Sequence, residues 1–515
     1  MPLDFFKTYQ KTFIFILFFL LLCFLGYEID PNARMDDDYI GEQVYWLMQK
    51  GYVKSELMGG FGGIGLENHQ AVFHKLWVYN GFLFCEIVGW SIFSLHCASI
   101  FYLLVFVGIF YIHIKRKYTE NNWFLYGLIA FLFLSHHELK NMAWSFRPEV
   151  MVMCLGFISY HFLSIFLDRN QQNQQKAHPN KQIYLILAGI FAGLAFLTHL
   201  NGLIFAGAGF GLLLIQKQWK NALIFGIFVT IVFSFYFADI LIYTDLAHFW
   251  KQFSSDPSLV KSNFGLAGLA ERILLEQARY LYTEKEIPLT FLLVLTLSFA
   301  WKYFRKLHTN LLNYSLLLMG IMCIWCYSKV PYLLILLLPF LTLLIALGVQ
   351  YLLQNNTQNK SPKWLPKMML IGVLAHFGIN LVYTFLKIKQ NYIAWQTLST
   401  QQTSAQLSQI IKNYEKVATM KDKKILASGN FIFDEINNFK AIKNMAQYDF
   451  FIDYHNKPKM NFTQLLDSAT VHKINYIILN NEQGNTFEVE KFYPKYPNQI
   501  TLIKKDDLYW IFKIK

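Results

Sequence analysis

Apolar residues along the chain fall into long runs that are separated by short polar or charged segments. Each run approaches the roughly 20 residues that an α-helix needs to cross a lipid bilayer. The pattern therefore predicts an α-helical polytopic membrane protein with about eleven transmembrane helices. The predicted spans are residues 12–26, 90–114, 122–137, 148–167, 183–199, 201–215, 221–243, 288–304, 312–327, 331–353 and 367–387.

Lysine and arginine collect in alternate loops between these runs, and loops of this kind usually face the cytoplasm. We therefore predict a multi-pass protein of the plasma (inner) membrane with a cytoplasmic N-terminus. An odd number of spans then places the C-terminus outside the cytoplasm. No small-residue cleavage site follows the first run, which favours a retained span over a signal peptide. The basic loops are residues 115–117, 169–181, 217–220, 302–306 and 360–367.

The same pattern divides the chain into a transmembrane domain, residues 1–387, and a small extracytoplasmic α/β domain, residues 388–515. Two long outer loops, residues 28–89 and 244–287, contain stretches with helical spacing of apolar residues, and loops this long are usually functional. We interpret the C-terminal part as an accessory or acceptor-binding domain. Its predicted elements are a helix over residues 406–417 and strands over 425–427, 474–479, 500–503 and 509–514.

The composition agrees with this division and narrows the function. Of the 515 residues, 55% are hydrophobic and only 15% are charged, whereas about a quarter are charged in a soluble domain. The formal net charge is +13. The basic residues lie between spans and form no nucleic-acid motif, so we predict no nucleic-acid partner. The six cysteines are scattered, which does not favour a disulfide framework.

Three adjacent carboxylates, Asp36, Asp37 and Asp38, follow the first span. Charge is costly near lipid, so an acidic cluster at this position indicates catalysis or binding. The cluster also precedes an amphipathic helix, predicted over residues 39–50 and ended by Gly51. Aspartates at a helix N-terminus can satisfy its free N–H groups. The residues alone leave both interpretations open, and a functional carboxylate here could act as a general base or hold a cation.

Three further motifs place charged or polar groups at the predicted outer ends of spans. An arginine at such an end can clamp a phosphate or lie at the interface, and a lone histidine is more often structural than catalytic. If the predicted topology holds, all these motifs face the same side of the membrane as the carboxylates. They are the segment Arg147–Glu149, the turn Thr198–Gly202 with His199, and the turn Lys329–Tyr332.

In their order these motifs resemble those of the GT-C glycosyltransferases, and more narrowly those of the bacterial relatives of protein O-mannosyltransferases and of the aminoarabinose transferase that modifies lipid A. That family has an Asp-Glu pair after its first span, an Arg-Pro-Asp/Glu element, a Leu-Thr-Lys/His-x-x-Gly turn, and a basic residue and a tyrosine before a Leu-Pro span. The corresponding segments here are Asp36-Asp37 with the helix-ending Gly51, Arg147–Glu149, Leu197–Gly202, and Lys329–Tyr332 followed by Leu338-Pro339.

The chain also departs from the family pattern at three positions. Asp37 stands where the usual residue is Glu, which shortens the reach of the second carboxylate. His199 stands where many relatives have Lys, so its charge at neutral pH is not fixed. The dipeptide Asn68-His69 is a poor match to the Lys-Pro-Pro that relatives often have. The C-terminal domain is not covered by the resemblance.

The resemblance implies transfer of a sugar from a polyprenyl-phosphate donor to a hydroxyl group of a glycan, lipid or protein acceptor, by a single displacement with inversion. Asp36 and Asp37 would be the catalytic carboxylates, with Asp36 as the general base. The substrate-binding residues would be Arg147, Glu149, His199, Lys329 and Tyr332, of which the basic ones hold the departing phosphate. No cofactor is implied, and a divalent cation is compatible with the carboxylates but not required.

Three alternatives remain open from the sequence. A transporter or lipid flippase would use a carboxylate within the membrane, and Asp239, near the end of a predicted span, is the nearest candidate. A glycan polymerase or ligase would join preassembled glycans from a lipid-linked donor. A membrane scaffold with a sensing C-terminal domain would have no catalytic site.

Overall fold

The protein's computed structural model describes most of the chain. The described residues are 21, 23–25, 36–59, 64–118, 123–172, 181–255, 265–326, 329–357, 362, 364–400, 404–444, 461–506 and 508–515. The predicted first span, 12–26, lies almost wholly outside these residues.

The part of the chain before residue 401 is mainly helical. Its α-helices are α1 (Asp37–Lys50), α2 (Lys75–Val88), α3 (Ile92–Lys117), α4 (Trp123–Ser135), α5 (His137–Ala143), α6 (Glu149–Gln172), α7 (Lys181–Thr198), α8 (Leu203–Ile215), α9 (Trp219–Ser234), α10 (Ala238–Tyr243), α11 (Leu246–Ser254), α12 (Leu266–Leu275), α13 (Gln277–Leu281), α14 (Ile287–Leu307), α15 (Thr309–Trp325), α16 (Leu338–Thr357) and α17 (Leu365–Thr400). Short 3-10 turns occur at Leu200–Gly202, Phe235–Phe237 and Pro331–Leu336.

The described helices confirm a polytopic membrane fold. Six helical segments are long and apolar enough to cross a bilayer, and four shorter apolar helices accompany them. Helix α17 continues past the predicted span end at residue 387, as far as Thr400. The six long segments are Ile92–Lys117, Glu149–Asp168, Lys181–Thr198, Trp219–Tyr243, Ile287–Leu307 and Leu365–Ile393, and the shorter helices are Phe124–Ser135, Leu200–Ile215, Thr309–Trp325 and Leu338–Gln354.

Helix α6 is the central helix of the bundle. Its membrane-spanning window is 89% buried, against 28–39% for the other five long segments. Close packing is possible at Gly156 because a larger residue would collide with the ring of Phe205. Since α6 begins at Glu149, the Arg147–Glu149 motif lies at the end of the most enclosed helix, surrounded by its neighbours.

Helix α1 lies between the bundle and the C-terminal domain. Its Ile40 and Val44 belong to the core of the bundle, whereas Tyr45 belongs to a core that it shares with the domain. The helix ends at Gly51, whose φ of 76° is a left-handed conformation that glycine adopts without strain. The end predicted at this glycine is therefore confirmed, and the carboxylates precede a helix fixed on two sides.

The C-terminal domain is a five-stranded mixed sheet with helices, preceded by helix α18 (Ser404–Glu415). The strand order is β2-β1-β3-β5-β4, with β1 parallel to β2 and β3, and β5 antiparallel to β3 and β4. Strand β2 has no counterpart among the predicted strands. The elements are β1 (Met420–Ala427), α19 (Phe431–Glu435), β2 (Phe439–Asn444), α20 (Phe462–Val471), β3 (Tyr476–Asn480), α21 (Asn481–Thr486), α22 (Val489–Phe492), a 3-10 turn (Tyr493–Lys495), β4 (Ile500–Lys505) and β5 (Tyr509–Ile514).

Alternation along the strands gives this sheet two apolar faces. In β1, Ile425 and Ala427 join the core that faces α1, whereas Leu426 joins a second core that also contains Phe462 and Trp510. Side chains of successive strand residues point to opposite faces, so one sheet can serve both cores. The first face therefore docks the domain on α1, at the end of the bundle that carries the carboxylates.

Candidate active site

The carboxylate of Asp36 is half exposed, at 51%, and its Oδ2 accepts a hydrogen bond from Arg147 Nη1 at 2.7 Å. Asp36 occupies the N-cap position of α1 but makes no side-chain capping hydrogen bond. Capping therefore does not explain this residue. Among the described residues its Oδ1 has no hydrogen-bond partner. Burial raises the pKa of Asp36, and the neighbouring Arg147 opposes that rise.

Arg147 is held from two further sides. Its Nε and Nη2 donate to Glu149 Oε2 and Oε1 at 3.2 and 2.9 Å, and its guanidinium lies 4.5 Å from the ring centroid of Tyr332. Glu149 is only 2% exposed. A guanidinium carries five N–H donors, and Asp36 and Glu149 take three of them. The structure therefore brings together four predicted site residues, namely Asp36, Arg147, Glu149 and Tyr332.

Asp37 points away from this group, although it is adjacent to Asp36 in the chain. Its carboxylate is fully buried, accepts a hydrogen bond from the Phe146 backbone N–H at 2.5 Å, and lies 2.9 Å from His96 Nε2. The Phe146 peptide directly precedes Arg147. This geometry supports a positioning role for Asp37, which fixes the backbone that carries the arginine. A catalytic role for Asp37 stays a prediction.

His199 stacks on His74, with ring centroids 4.6 Å apart, and its Nδ1 accepts a hydrogen bond from the Asn201 backbone N–H. Burial lowers the pKa of His74 well below its usual range, and the nearby His199 and Arg147 lower it further. The histidine pair lies close enough to Arg147 and Glu149 to interact with them electrostatically.

Lys329 joins a second charged group. Its Nζ donates to Glu276 Oε2 at 2.6 Å and to the Cys323 carbonyl at 2.9 Å. Glu276 also pairs with the fully buried Arg279 at 2.9 Å. Tyr332, three residues later, lies against Arg147. The turn at residues 329–332 therefore connects the two charged groups, and contact of Lys329 with the same substrate as Arg147 stays a prediction.

A buried ion pair between Lys75 and Asp239, which the sequence did not predict, lies beside this site. Lys75 Nζ lies 2.6 Å from both carboxylate oxygens of Asp239 and also donates to the Ala71 carbonyl at 2.8 Å. Burial lowers the pKa of Lys75 to about 8, against the opposing effect of Asp239. The two residues are 164 positions apart in the chain. The only sign of the pair in the sequence is that two charges of opposite sign each lie next to an apolar segment. It neutralises the carboxylate that a transporter would use.

Asp38 and Glu42 anchor the outer structure to α1. Asp38 Oδ2 accepts a hydrogen bond from Asn444 Nδ2, at the end of β2, at 3.0 Å. Glu42 accepts hydrogen bonds from the Ser55 hydroxyl at 2.6 Å and from the Glu56 backbone N–H at 2.7 Å. Burial raises the pKa of Asp38 to about 6 and that of Glu42 to about 7. Asp38 and Glu42 therefore bind the C-terminal domain and the outer loop, whereas Asp36 binds Arg147 at the end of α6.

In the described part of the chain, no group of three or more His, Cys, Asp and Glu side chains is arranged to hold a metal ion. At the candidate site, the guanidinium of Arg147 occupies the space between the carboxylates of Asp36 and Glu149. The two carboxylates therefore already share a cation that the protein supplies.

Comparison with solved structures gives matches along nearly the whole chain. ArnT from Cupriavidus metallidurans in the apo state matches with a TM-score of 0.58 at 8% identity, covering 98% of both chains. The same protein bound to undecaprenyl phosphate matches with a TM-score of 0.55 at 10% identity, again over 98% of both chains. The Archaeoglobus fulgidus oligosaccharyltransferase tethered with an acceptor peptide matches with a TM-score of 0.54 at 12% identity, covering 93% of this chain and 70% of that one.

The chain has the GT-C fold. This confirms the fold that the four ordered motifs indicated. No protein-family model matches the sequence, and no curated protein matches it either. At such low identity the GT-C likeness establishes architecture, so the activity has to be argued from the residues of the site.

Proposed function

We propose that this protein is a membrane glycosyltransferase that moves a sugar from a polyprenyl-phosphate donor to a hydroxyl acceptor on the extracytoplasmic face. The observation that carries the proposal is a half-exposed carboxylate, Asp36, held against Arg147 at the end of the central helix. The buried Glu149 fixes the arginine from behind. A carboxylate that is oriented yet accessible suits a base, whereas the nearby structural Glu42 is buried and bound through both of its oxygens.

Asp36 would remove the proton from the acceptor hydroxyl. Its Oδ2 is bound to Arg147, which leaves Oδ1 for the incoming group. A pKa raised by burial makes the carboxylate a stronger base than an ordinary aspartate. The acceptor oxygen then forms a bond to the anomeric carbon while the bond from that carbon to the lipid phosphate breaks. One displacement of this kind inverts the anomeric centre.

The departing lipid phosphate would be stabilised by the basic groups nearby. Arg147 would offer it the N–H donors that its protein partners leave unoccupied, and Lys329 with Arg279 exceeds the single carboxylate of Glu276 by one positive charge. Two proteins of the same fold support this choice of donor, because ArnT has been solved with undecaprenyl phosphate and an archaeal oligosaccharyltransferase with dolichol-phosphate.

A transporter is less well supported by the same structure. Such a protein would use an unpaired carboxylate in the path of its substrate. Asp239 is instead buried and bound by Lys75 through both oxygens. The accessible carboxylate lies at one end of the bundle and not at its middle, which suits chemistry at a membrane surface.

The proposal is tested by mass spectrometry of glycans and glycolipids from cells with and without the protein. We expect the loss of one sugar residue, and the mass difference identifies it. Cells carrying Asp36→Asn should lose the same product, with transfer reduced by about 10²- to 10⁴-fold, the usual contribution of a general base. The matched control is Asp245→Asn, an exposed residue that caps α11 through an oxygen that asparagine retains.

Normal glycan profiles without the protein would contradict the proposal, as would full transfer by Asp36→Asn. A missing block of several sugars would instead identify a glycan ligase. Retention of the anomeric configuration in the product, measured by NMR, would exclude the single displacement.

A further inference from the structure

A large polar cleft lies between the first outer loop and the C-terminal domain. Its volume is about 820 Å³. One wall comes from the loop after α1, and the other comes from strands β1 and β2 and from the end of α20. The lining residues are Tyr52, Lys54, Glu56, Glu67, Asn68, Lys424, Lys440, Ala441, Lys443, Val471, His472 and Lys473.

The cleft carries an excess of positive charge. Five lysines face two glutamates, so three positive charges are unbalanced. Glu56 pairs with Lys54 at 2.8 Å and lies 3.4 Å from Lys443. In the part of the chain that the structure describes, the other three lysines, at positions 424, 440 and 473, pair with no carboxylate.

Holding these lysines together is unfavourable without a ligand. Burial lowers the pKa of Lys424, and the neighbouring Lys443, Lys440 and Lys473 add to this effect. The lysines come from separate strands and a turn, so the crowding is not the solvated face of one element. Like charges gathered at such a cost indicate an anionic ligand.

The lining of the cleft is mainly polar, which favours a hydrophilic anion over a lipid chain. Its apolar members are Ala441, Val471 and the ring of Tyr52, and Val471 is mainly exposed to solvent. Among the described residues, the lining forms no enclosed apolar wall for an acyl chain. Lysines bind phosphate and carboxylate as point charges, and the remaining polar groups, such as Asn68, suit hydroxyl groups.

The cleft is connected to the candidate active site through α1. Glu42 binds the loop residues 55–57, of which Glu56 lines the cleft, and Asn444, next to Lys443, binds Asp38. From Asp36 to Glu42 the helix rises by about 9 Å. The α1 residues that bind the walls of the cleft, Asp38 and Glu42, therefore lie within about two helical turns of Asp36.

We propose that this lysine cleft binds the anionic part of the acceptor, a phosphate- or carboxylate-bearing saccharide. This inference rests on the proposed glycosyl transfer and names the acceptor class. The C-terminal domain would then hold the charged sugar while the acceptor hydroxyl reaches Asp36. The chemistry that the cleft recognises is a charged sugar, which both a glycolipid headgroup and a soluble glycan supply.

The test is binding of trehalose 6-phosphate to the full-length protein in detergent, measured by titration calorimetry. Uncharged trehalose and inorganic phosphate serve as comparison ligands. The test variant combines Lys424→Gln, Lys440→Gln and Lys473→Gln. The matched control combines Lys421→Gln, Lys491→Gln and Lys495→Gln, which removes the same charge from exposed positions outside the cleft.

We expect trehalose 6-phosphate to bind more tightly than trehalose or inorganic phosphate. The test variant should weaken that binding by at least about tenfold, because three charge-assisted contacts are lost. The control should change it less than about twofold, since exposed charges at a distance contribute little. Equal binding by the two variants would overturn the proposal, and so would preferential binding of inorganic phosphate.

Binding to lipid vesicles shows whether the anion that the cleft recognises belongs to a membrane lipid or to a sugar. Lysine-dependent binding to phosphatidylglycerol vesicles without any binding of trehalose 6-phosphate would mean a membrane contact and would overturn the saccharide site. The outcome is also independent of the proposed transfer. Sugar-phosphate binding by the protein, without any change in the cellular glycans, would support the cleft and contradict the proposed transfer. Loss of transfer in Asp36→Asn, with unchanged sugar-phosphate binding in the test variant, would support the transfer and contradict the cleft.

Discussion

Two charged clusters lie on either side of the turn at residues 329–332, and they are opposite in composition. The Asp36 cluster (Asp36, Arg147 and Glu149) places two carboxylates around one guanidinium. The Lys329 cluster (Glu276, Arg279 and Lys329) places two cations around one carboxylate. One cluster has a spare negative charge and the other a spare positive charge. Such neighbours suit a reaction in which a proton leaves at one side while phosphate charge develops at the other.

The largest effect on stability and activity is expected when Arg147 is replaced. Arg147→Gln leaves Glu149 as a buried charge without its cation, which should lower the free energy of unfolding by about 3–5 kcal/mol. Adding Glu149→Gln should recover much of this stability, because the buried charge is gone. Transfer should stay low in both variants, since neither orients Asp36. Thermal unfolding in detergent and an activity assay measure the two effects.

If the double variant were no more stable than Arg147→Gln, the ion pair would not be the source of the stability. Full activity in the double variant would show that Arg147 takes no part in the reaction.

A smaller effect is expected in the Lys329 cluster. Lys329→Gln leaves Glu276 paired with Arg279 at 2.9 Å, so the fold should be retained. The KM for the lipid-phosphate donor should rise by about tenfold, the value of one charge-assisted hydrogen bond. Steady-state kinetics with varied donor concentration test this. An unchanged KM would restrict Lys329 to a structural role.

The pH dependence of activity distinguishes the two clusters. Asp36 must be ionised to accept a proton, and burial raises its pKa. Activity should therefore fall as the pH is lowered, with a midpoint above the roughly 3.9 of an ordinary aspartate. Lys329→Gln should lower the rate without moving this midpoint. A midpoint that shifts with Lys329→Gln, in a profile of kcat/KM against pH, would mean that the two clusters titrate together.

The sequence predicted the Asp36 cluster because each member belongs to a short motif at the end of a span. Asp36, Arg147 and Glu149 could be placed on one side of the membrane from charge alone, and the structure adds that Tyr332 covers the arginine. The pairing of Asp36 with Arg147, 111 positions apart, could not be derived, because loop closure depends on tertiary packing.

Other features had weaker signals. Asp37 and Asp36 are identical in type and adjacent, and only the packing of Phe146 and His96 shows that one faces inward. Lys75 and Asp239 each look like an isolated charge near a span. Strand β2 was missed because its lysines interrupt the apolar alternation, and the structure explains them by the cleft that they line.

Helix α1 has a mechanical consequence for the whole molecule. The fourteen-residue helix begins directly after Asp36 and carries, within two turns, the attachment points of the outer loop and of the C-terminal domain. Gly429 permits the domain to seat this closely, since any added side chain there would strike Asp38. A ligand whose binding tilts the domain would also move α1, and the resulting coupling free energy between the domain and a ligand at Asp36 would be equal in both directions.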